Sequence, residues 1–376
     1  MSATGLARPH DCRADDGGSP PRVLLVDDSS VSRALMTRWI EESGAGRILA
    51  TASNGRAAVE ALGSQRIDVV VLDIEMPEVD GLTALPRLLA AQPGVQVLMA
   101  STLSQSGAAA TMQALRLGAA DAIGKPRAGW VIGSGSDFRS ELTTKVRMLG
   151  AVARRRPDQP APEEPPPPPG TPEPTVKRAL PSAQRPRCIV IGASTGGPNA
   201  LFRLMELLPG TIDVPLFVTQ HMPPTFTSIL AEHLARHAGR PAFEGEDGMQ
   251  AVAGQVYIAP GGRHMSLAGK PGRVRLVVSD EAPENFCRPS VNPLMRSAAG
   301  IYGAGALGIM LTGMGSDGLD GARELVRAGG TMIAQDQTSS VVWGMPGAVV
   351  RAGLAADVLP LDGIADAIVD QLRLPR

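Results

Sequence analysis

The sequence has 376 residues, and at about 100–200 residues per domain this length predicts two domains. Lysine and arginine (36) almost balance aspartate and glutamate (37), which excludes a strong basic field for nucleic acid or anionic lipid. The three cysteines, Cys12, Cys188 and Cys287, are too few and too scattered for a disulfide framework, so they indicate a reducing, cytoplasmic compartment.

The N-terminal part of the chain has a polar leader followed by an α/β pattern. Residues 1–21 are rich in glycine, proline and aspartate without an apolar run, so we expect a disordered leader and no signal peptide. Over residues 22–150, the apolar runs RVLLV, IDVVVL and VQVLMA alternate with helical stretches. This alternation predicts a parallel sheet with helices on both faces.

Polar side chains follow these predicted strands. Asp27 and Asp28 come after the first, Asp73 after the second, Ser101 after the third, and Lys125 lies in a GKP turn. Three carboxylates at one sheet edge repel each other unless a hard cation binds them, so a Mg²⁺ site is expected. One of the carboxylates can then attack a phosphodonor. The alternative is that the aspartates cap the following helices.

These residues resemble the response-regulator receiver family, which has LLVDDSS, VVVLDIEMPEVDG, LMAST and GKP in this order. The resemblance covers residues 22–150 and implies a flavodoxin-like fold. The roles it implies are Asp73 as the phosphoacceptor, Asp27, Asp28 and Asp73 as the Mg²⁺ site, Ser101 as the switch hydroxyl and Lys125 as the phosphate contact. Ala122 departs from the family, which often has an aromatic residue at this position.

A proline-rich segment follows, at residues 151–186. Twelve prolines fall between positions 157 and 186, and large apolar side chains are almost missing there. Such a composition builds no core and favours an extended, semi-rigid spacer. We therefore expect this segment to be a linker between two domains.

Residues 187–376 repeat the α/β pattern, with RCIVIG, VPLFVTQ, VYIAP, LGIMLTG and TMIAQ as strands. The uncharged stretch 297–316 approaches the length of a membrane span, but six of its residues are glycine. We predict a helix end, a turn and a short buried strand there, and no membrane insertion.

Ser194 lies in a G-x-S-x-G turn between a strand and a helix, which typically exposes a nucleophilic hydroxyl. His221 ends a neighbouring strand and is a candidate base, and His264 is a weaker one. Asp317 follows a third strand, where it either orients the histidine or caps a helix. The same glycine-rich turn also suits a phosphate cradle, although it lacks GK[ST].

Residues 187–376 also resemble the catalytic domain of the CheB-type protein-glutamate methylesterase family. The motifs are IGASTGGP, VTQHMPP, YIAPGGRHM, RPSVNPL, LTGMGSDGLDGA and IAQDQTSSVVWGMP. The resemblance implies a catalytic triad of Ser194, His221 and Asp317, with Thr195 and Met314 near the reacting carbonyl. Asn292 stands where the family more often has an acid.

The two resemblances together imply a phosphorylation-activated serine esterase for chemotactic adaptation. Its fold would be two doubly wound parallel-sheet α/β domains, flavodoxin-like and Rossmann-like, joined by the proline-rich linker. It would hydrolyse glutamate γ-methyl esters on chemoreceptor cytoplasmic helices, releasing methanol, with deamidation of receptor glutamines as a second activity. A chemotaxis-type histidine kinase would supply the phosphoryl group, with Mg²⁺ in the receiver and no cofactor for the esterase. The alternatives are a receiver-controlled adaptor without esterase activity and, less favoured, a transcription factor.

Overall fold

The computed structural model describes residues 19–125, 135–154 and 179–373. The predicted disorder of the leader falls almost entirely outside these ranges, as does most of the predicted proline-rich linker. Among the described residues, none of the helices combines the length and the apolar character needed to cross a bilayer.

The N-terminal unit is a five-stranded parallel sheet with helices between its strands. Each apolar run named above forms a strand, because its side chains are buried on both faces of the sheet. The elements are β1 (Arg22–Val26), α1 (Ser30–Glu42), β2 (Arg47–Ala52), α2 (Gly55–Ser64), β3 (Val69–Asp73), α3 (Gly81–Ala91), β4 (Gln96–Thr102), α4 (Gln105–Arg116), β5 (Asp121–Lys125) and α5 (Gly135–Arg154).

The strand order of this sheet is β2-β1-β3-β4-β5. It confirms the predicted flavodoxin-like arrangement. The chain leaves β1 towards one edge of the sheet and leaves β3 towards the other, so a crevice opens beyond the carboxyl ends of these two strands. Ligands bind at this position in open α/β sheets.

The C-terminal unit is a seven-stranded parallel sheet with an additional antiparallel hairpin. Its elements are β6 (Cys188–Ala193), α6 (Gly197–Leu207), β7 (Leu216–Gln220), α7 (Phe226–Ala238), β8 (Ala242–Glu244), β9 (Val256–Ile258), β10 (His264–Lys270), β11 (Arg273–Ser279), α8 (Val291–Tyr302), a 3₁₀ turn (Gly303–Gly305), β12 (Ala306–Met310), α9 (Leu319–Arg327), β13 (Thr331–Gln335), α10 (Met345–Arg351), β14 (Asp357–Leu359) and α11 (Leu361–Leu372).

The order of the large sheet is β14-β13-β12-β6-β7-β9-β8. Strand β6 is central, with β7 on one side and β12 on the other, and Gly192 pairs with both Thr219 and Met310. The reversal of strand order therefore lies between β6 and β12. This is the second crevice of the molecule where a site is expected.

The hairpin β10–β11 is an addition to the predicted parallel architecture. Its strands pair from His264↔Ser279 to Lys270↔Arg273. By contrast, the predicted interpretation of residues 297–316 is confirmed, because this stretch contains the end of α8, the 3₁₀ turn and the buried strand β12.

The two units contact each other through helices and one loop. Helix α4 packs against α6 and α7, and a single cluster of buried apolar residues extends through both units. Asn199 Nδ2 donates a hydrogen bond to the backbone oxygen of Ala119 at 2.9 Å. A Cβ placed on Gly124 would lie 3.4 Å from Cγ of Pro223. The carboxyl end of β5 therefore lies against the loop that follows β7.

Candidate active site

An acidic pocket lies at the carboxyl ends of β1 and β3. Asp27, Asp28 and Asp73 each place an oxygen within 4.8 Å of the others, and Lys125 Nζ lies 2.6 Å from Asp27 Oδ2 and 2.7 Å from Asp73 Oδ2. Asp27 and Asp73 are buried and Asp28 is exposed. The predicted residues thus come together as one set of oxygen donors, which is the ligand type that Mg²⁺ prefers.

The charge balance of this pocket fits a cation. Burial raises the pKa of Asp73; Lys125 opposes this effect, whereas the neighbouring Asp27 adds to it. Three carboxylates meet the Lys125 ammonium here, and Arg33 Nη1 donates to the backbone oxygens of Asp27 and Asp28, so negative charge remains in excess. The alternative of capping aspartates does not describe Asp73, since the next helix, α3, is capped by Asp80, whose Oδ1 accepts from Thr83 N at 2.7 Å.

Ser101 lies near the carboxyl end of β4, against the start of helix α4. Its side chain is fully buried, and its Oγ donates to the backbone oxygen of Thr102 at 3.3 Å. A Cβ on Gly107, in the first turn of α4, would lie 2.8 Å from Ser101 Oγ. Only glycine allows so close an approach. A movement of the Ser101 hydroxyl would therefore displace the first turn of α4.

Ser194 lies at the carboxyl end of β6, next to the reversal of strand order. Its backbone N–H donates to Thr312 O at 3.0 Å, and its carbonyl accepts from Gly197 N at 2.7 Å. The turn needs glycine: Gly196 has φ +76°, and a Cβ on Gly197 would lie 2.0 Å from Gln220 Oε1. This tight turn leads directly into α6, as the G-x-S-x-G pattern predicts.

His221 and Asp317 meet across the same sheet edge. His221 Nε2 lies 2.8 Å from Asp317 Oδ2, and the backbone N–H of His221 donates to Ala193 O at 3.1 Å. Asp317 also accepts from Ser290 Oγ at 2.6 Å and from Val291 N at 2.7 Å. The following helix α9 has no side-chain cap, so Asp317 does not cap that helix.

The electrostatics of this pair favour charge on both partners. Burial acts to lower the pKa of His221, but its hydrogen bonds to Asp317 and to Cys287 outweigh this and raise the pKa to about 9. Burial acts to raise the pKa of Asp317, but the hydrogen bonds from His221, Ser290 and Val291 hold it below its ordinary value. The carboxylate is thus arranged to stabilise an imidazolium.

The second ring nitrogen of the histidine faces a cysteine. His221 Nδ1 lies 3.7 Å from Cys287 Sγ, and within the described residues the Ser194 hydroxyl has no hydrogen bond. Ser194 and His221 therefore share one sheet edge without being hydrogen-bonded. The sequence reasoning missed both Cys287 and Ser290. Their only signal was their position in and beside the RPSVNPL motif.

Comparisons with known proteins address both units. A family model described as CheB methylesterase matches residues 189–368, and a response regulator receiver domain model matches residues 23–129. A protein of Azospirillum brasilense, named protein-glutamate methylesterase/protein-glutamine glutaminase, is 48% identical over 94% of this chain and 93% of its own. The chain belongs to the CheB methylesterase family.

Other members of the CheB methylesterase family match over similar lengths. A Nitrobacter hamburgensis protein of the same name is 47% identical over 97% of both chains. The crystal structure of the Thermotoga maritima CheB methylesterase catalytic domain is 39% identical, covering 49% of this chain and 98% of that one with a TM-score of 0.48. The Azospirillum and Nitrobacter relatives thus span both the receiver and the C-terminal unit.

The structure gives local roles to the remaining residues that the family resemblance singled out. Asn292 Oδ1 accepts from Gly321 N at 2.8 Å, so it joins α8 to α9 through an oxygen that an acid would also provide. Thr195 is buried, and its carbonyl accepts from Thr312 Oγ1 at 2.9 Å. Met314 follows Gly313, where a Cβ would lie 2.9 Å from Ser194 Cβ.

The weaker candidate base, His264, has no place in this site. It is buried, its Nε2 lies 3.0 Å from Ala282 O, and its Nδ1 accepts from Ser290 N at 3.1 Å. Both ring nitrogens are therefore used to hold the loop before α8. His221 is the histidine that reaches the nucleophile's edge of the sheet.

Proposed function

We propose that this chain is a phosphorylation-activated serine esterase. It hydrolyses glutamate γ-methyl esters on the cytoplasmic helices of chemoreceptors and releases methanol, and it deamidates receptor glutamines by the same acyl-transfer chemistry. The observation that carries the proposal is the 2.8 Å contact of His221 with Asp317 on the sheet edge where the strand-to-helix turn presents Ser194. The names of the relatives, protein-glutamate methylesterase/protein-glutamine glutaminase, support the choice of substrate.

Ser194 is the nucleophile and His221 the general base in this proposal. Because Nε2 is bonded to Asp317, Nδ1 is the nitrogen that takes the serine proton, and it exchanges its contact with Cys287 for one with Ser194. The imidazolium then returns this proton to the departing methanol or ammonia. Water attacks the acyl-enzyme in the second half of the reaction and regenerates Ser194.

The start of α6 supplies the electrostatic partner for the reaction. The positive end of its dipole lies directly after Ser194, where the ester oxygen becomes an oxyanion. A dipole fixed in this way is aligned before the charge develops, so little reorganisation is needed. The family resemblance implies that Thr195 and Met314 lie near the reacting carbonyl, and in this proposal they contribute to the shape of the substrate site.

Asp73 is the phosphoacceptor of the N-terminal unit. Asp27, Asp28 and Asp73 would hold a Mg²⁺ ion, which when bound neutralises charge on the phosphoryl group. Lys125, now paired with Asp27 and Asp73, provides a second positive charge. A histidine kinase of the chemotaxis type is the donor.

Two contacts connect the acidic pocket with the esterase. Ser101 lies against the first turn of α4, and α4 packs on α7 of the C-terminal unit. Gly124, next to Lys125, lies against Pro223, two residues from His221. We propose that the unphosphorylated receiver restrains this edge of the esterase, and that phosphorylation at Asp73 weakens the contact. Interfaces between units of one chain are modest enough to open in this way.

The activity is tested by methanol release from membranes that carry methylated chemoreceptors, with and without acetyl phosphate and Mg²⁺. We expect release by the full chain and an increase when the phosphodonor is present. If the chain bound methylated receptors but released no methanol under either condition, it would be a receiver-controlled adaptor instead.

The restraint is tested separately with residues 187–376 alone, after circular dichroism has shown that this fragment is folded. We expect its methanol release to approach that of the phosphorylated full chain. A folded fragment no faster than the unphosphorylated full chain would contradict occlusion, and activation would then arise from recruitment to the receptor.

A further inference from the structure

A thiol, an imidazole and a carboxylate form a hydrogen-bonded row beside Ser194. Cys287 Sγ lies 3.7 Å from His221 Nδ1, and His221 Nε2 lies 2.8 Å from Asp317 Oδ2. The three groups also have ligand atoms within 4.8 Å of one another. This is the arrangement that activates a thiol in cysteine hydrolases, in which the histidine accepts the thiol proton and a third group orients the ring.

The position of this thiol leaves it open to reagents from solvent. Cys287 is half-buried on the loop between β11 and α8, and the preceding Phe286 side chain is fully exposed. Cys188, by contrast, lies fully buried in β6, where burial raises the pKa of its thiol. Reactivity of a cysteine follows its access and its thiolate character, so the two cysteines should differ sharply.

We propose that Cys287 is an oxidation site, at which a hydroperoxide forms a sulfenic acid and stops the esterase. The chemical step itself depends only on the Cys287–His221 contact, whereas its effect on turnover rests on the proposed function. The roles proposed above for Ser194, His221 and Asp317 leave Cys287 without a part in the reaction. It nevertheless contacts the one ring nitrogen that Asp317 does not hold.

Hydrogen peroxide oxidises the thiol in one two-electron step. The neutral form of His221, which predominates above its pKa of about 9, takes the thiol proton. The Cys287 sulfur then attacks one peroxide oxygen, so that an S–O bond forms as the O–O bond breaks. The leaving hydroxide takes the proton from His221 and becomes water. The sulfur is oxidised by two electrons, the peroxide is reduced by two, and the products are Cys–SOH and water.

The product interferes with the base in a direct way. The new hydroxyl or its anion adds an oxygen beside His221 Nδ1, which is the atom that must receive the proton of Ser194. A stronger hydrogen bond at this nitrogen competes with the serine, so turnover falls while Ser194 itself is unmodified. Thiols reduce a sulfenic acid, so the effect is reversible.

The first experiment measures modification of the full chain without any measurement of turnover. The protein is treated with hydrogen peroxide in the presence of a chelator and dimedone, which traps sulfenic acids, and the peptides are analysed by mass spectrometry. We expect the adduct on Cys287 and not on Cys188. His221→Gln should also slow carbamidomethylation of Cys287 by iodoacetamide by about tenfold, since the side chain that accepts the thiol proton is lost. An unmodified Cys287, or labelling rates equal in both proteins, would overturn the proposal.

The second experiment measures methanol release after peroxide treatment, with each variant compared with its own untreated rate. The wild type and the matched control Cys12→Ser should lose about tenfold or more and recover with dithiothreitol, whereas Cys287→Ala should retain its rate. Equal inactivation of Cys287→Ala would contradict the proposal. If untreated wild type releases no methanol, the proposed function fails, and the labelling experiment alone decides on Cys287.

Discussion

The two units place a buried aspartate at the same topological position but in opposite electrostatic settings. Asp73 lies where the strand order reverses in the first sheet, and Asp317 lies beside the corresponding crevice of the second. Burial raises the pKa of Asp73, which has Asp27 as a close neighbour. The pKa of Asp317 is lowered, because three hydrogen-bond donors outweigh the effect of its burial.

This difference follows the chemistry expected of each carboxylate. A phosphoacceptor needs an oxygen that is free to react, and the donors to Asp73 are the Lys125 ammonium and the backbone N–H of Ile74. The carboxylate that orients the histidine of a triad should remain ionised and keep a fixed orientation, and the hydrogen-bond donors around Asp317 provide both. One architecture therefore supports two reactions because the partners of the aspartate differ, and substitutions at each site should have separable effects.

The largest expected effect is on the nucleophile. Ser194→Ala should reduce methanol release by about 10⁴-fold or more, because the acyl-enzyme can no longer form. The fold should persist, since the hydroxyl has no hydrogen bond within the described residues. Adding His221→Ala to this variant should cost little more, as the groups act as a unit. Turnover above about a tenth of wild type would remove Ser194 from this role, given the usual size of triad losses.

The next effect separates the two units. Asp73→Asn should abolish Mg²⁺-dependent labelling by a small phosphodonor, while leaving basal methanol release of the unphosphorylated protein in place. The matched control is Asp80→Asn, because Asp80 caps α3 and asparagine caps helices equally well. Labelling of Asp73→Asn equal to that of wild type would place the phosphoacceptor elsewhere.

Much of both sites follows from the sequence, because strands buried on both faces are read as apolar runs and their ends meet at one edge. On this basis the sequence predicts that Asp27, Asp73 and Lys125 lie in one pocket and that His221 lies close to Asp317. It also assigned the strand-to-helix turn at Ser194, whose glycines the backbone geometry requires.

The features that the sequence did not predict lie in segments without a helical or strand periodicity of apolar residues. Cys287 and Ser290 lie in the loop that joins the hairpin to α8, and their distance in sequence from His221 and Asp317 hides the contacts. The hairpin itself was not predicted, although VRLVV after the GKPG turn has the composition of a strand. Such contacts are set by tertiary packing, so only the folded chain reveals them.

The pH dependence of kcat/KM tests the ionisation of His221. Its pKa of about 9 leaves the ring protonated at neutral pH, so kcat/KM should rise about tenfold per pH unit below that value and level off above it. The raised pKa stabilises the fold below the ordinary value of 6.5, and this contribution is lost as the pH rises through about 9. Cys287→Ala should move the ascending limb to lower pH. A wild-type profile already level at pH 7 would contradict this ionisation.

The smallest effect concerns the donors that keep Asp317 ionised. Ser290→Ala removes the 2.6 Å hydrogen bond to Asp317 Oδ1, and the buried oxygen then lacks a strong donor. We expect a loss of about 1–3 kcal/mol in the free energy of unfolding, measured by urea denaturation.

Ser290 also caps α8, so part of this loss, typically about 1 kcal/mol, belongs to the cap. Ser104→Ala, which removes the cap of α4 without touching a carboxylate, measures that part. One result would contradict this role of Ser290: both variants lose the same stability, and the pH profile of Ser290→Ala equals that of wild type. The Ser290 hydroxyl would then act only as the cap of α8. The lowered pKa of Asp317 would be due to its other hydrogen-bond donors, among them His221 and Val291.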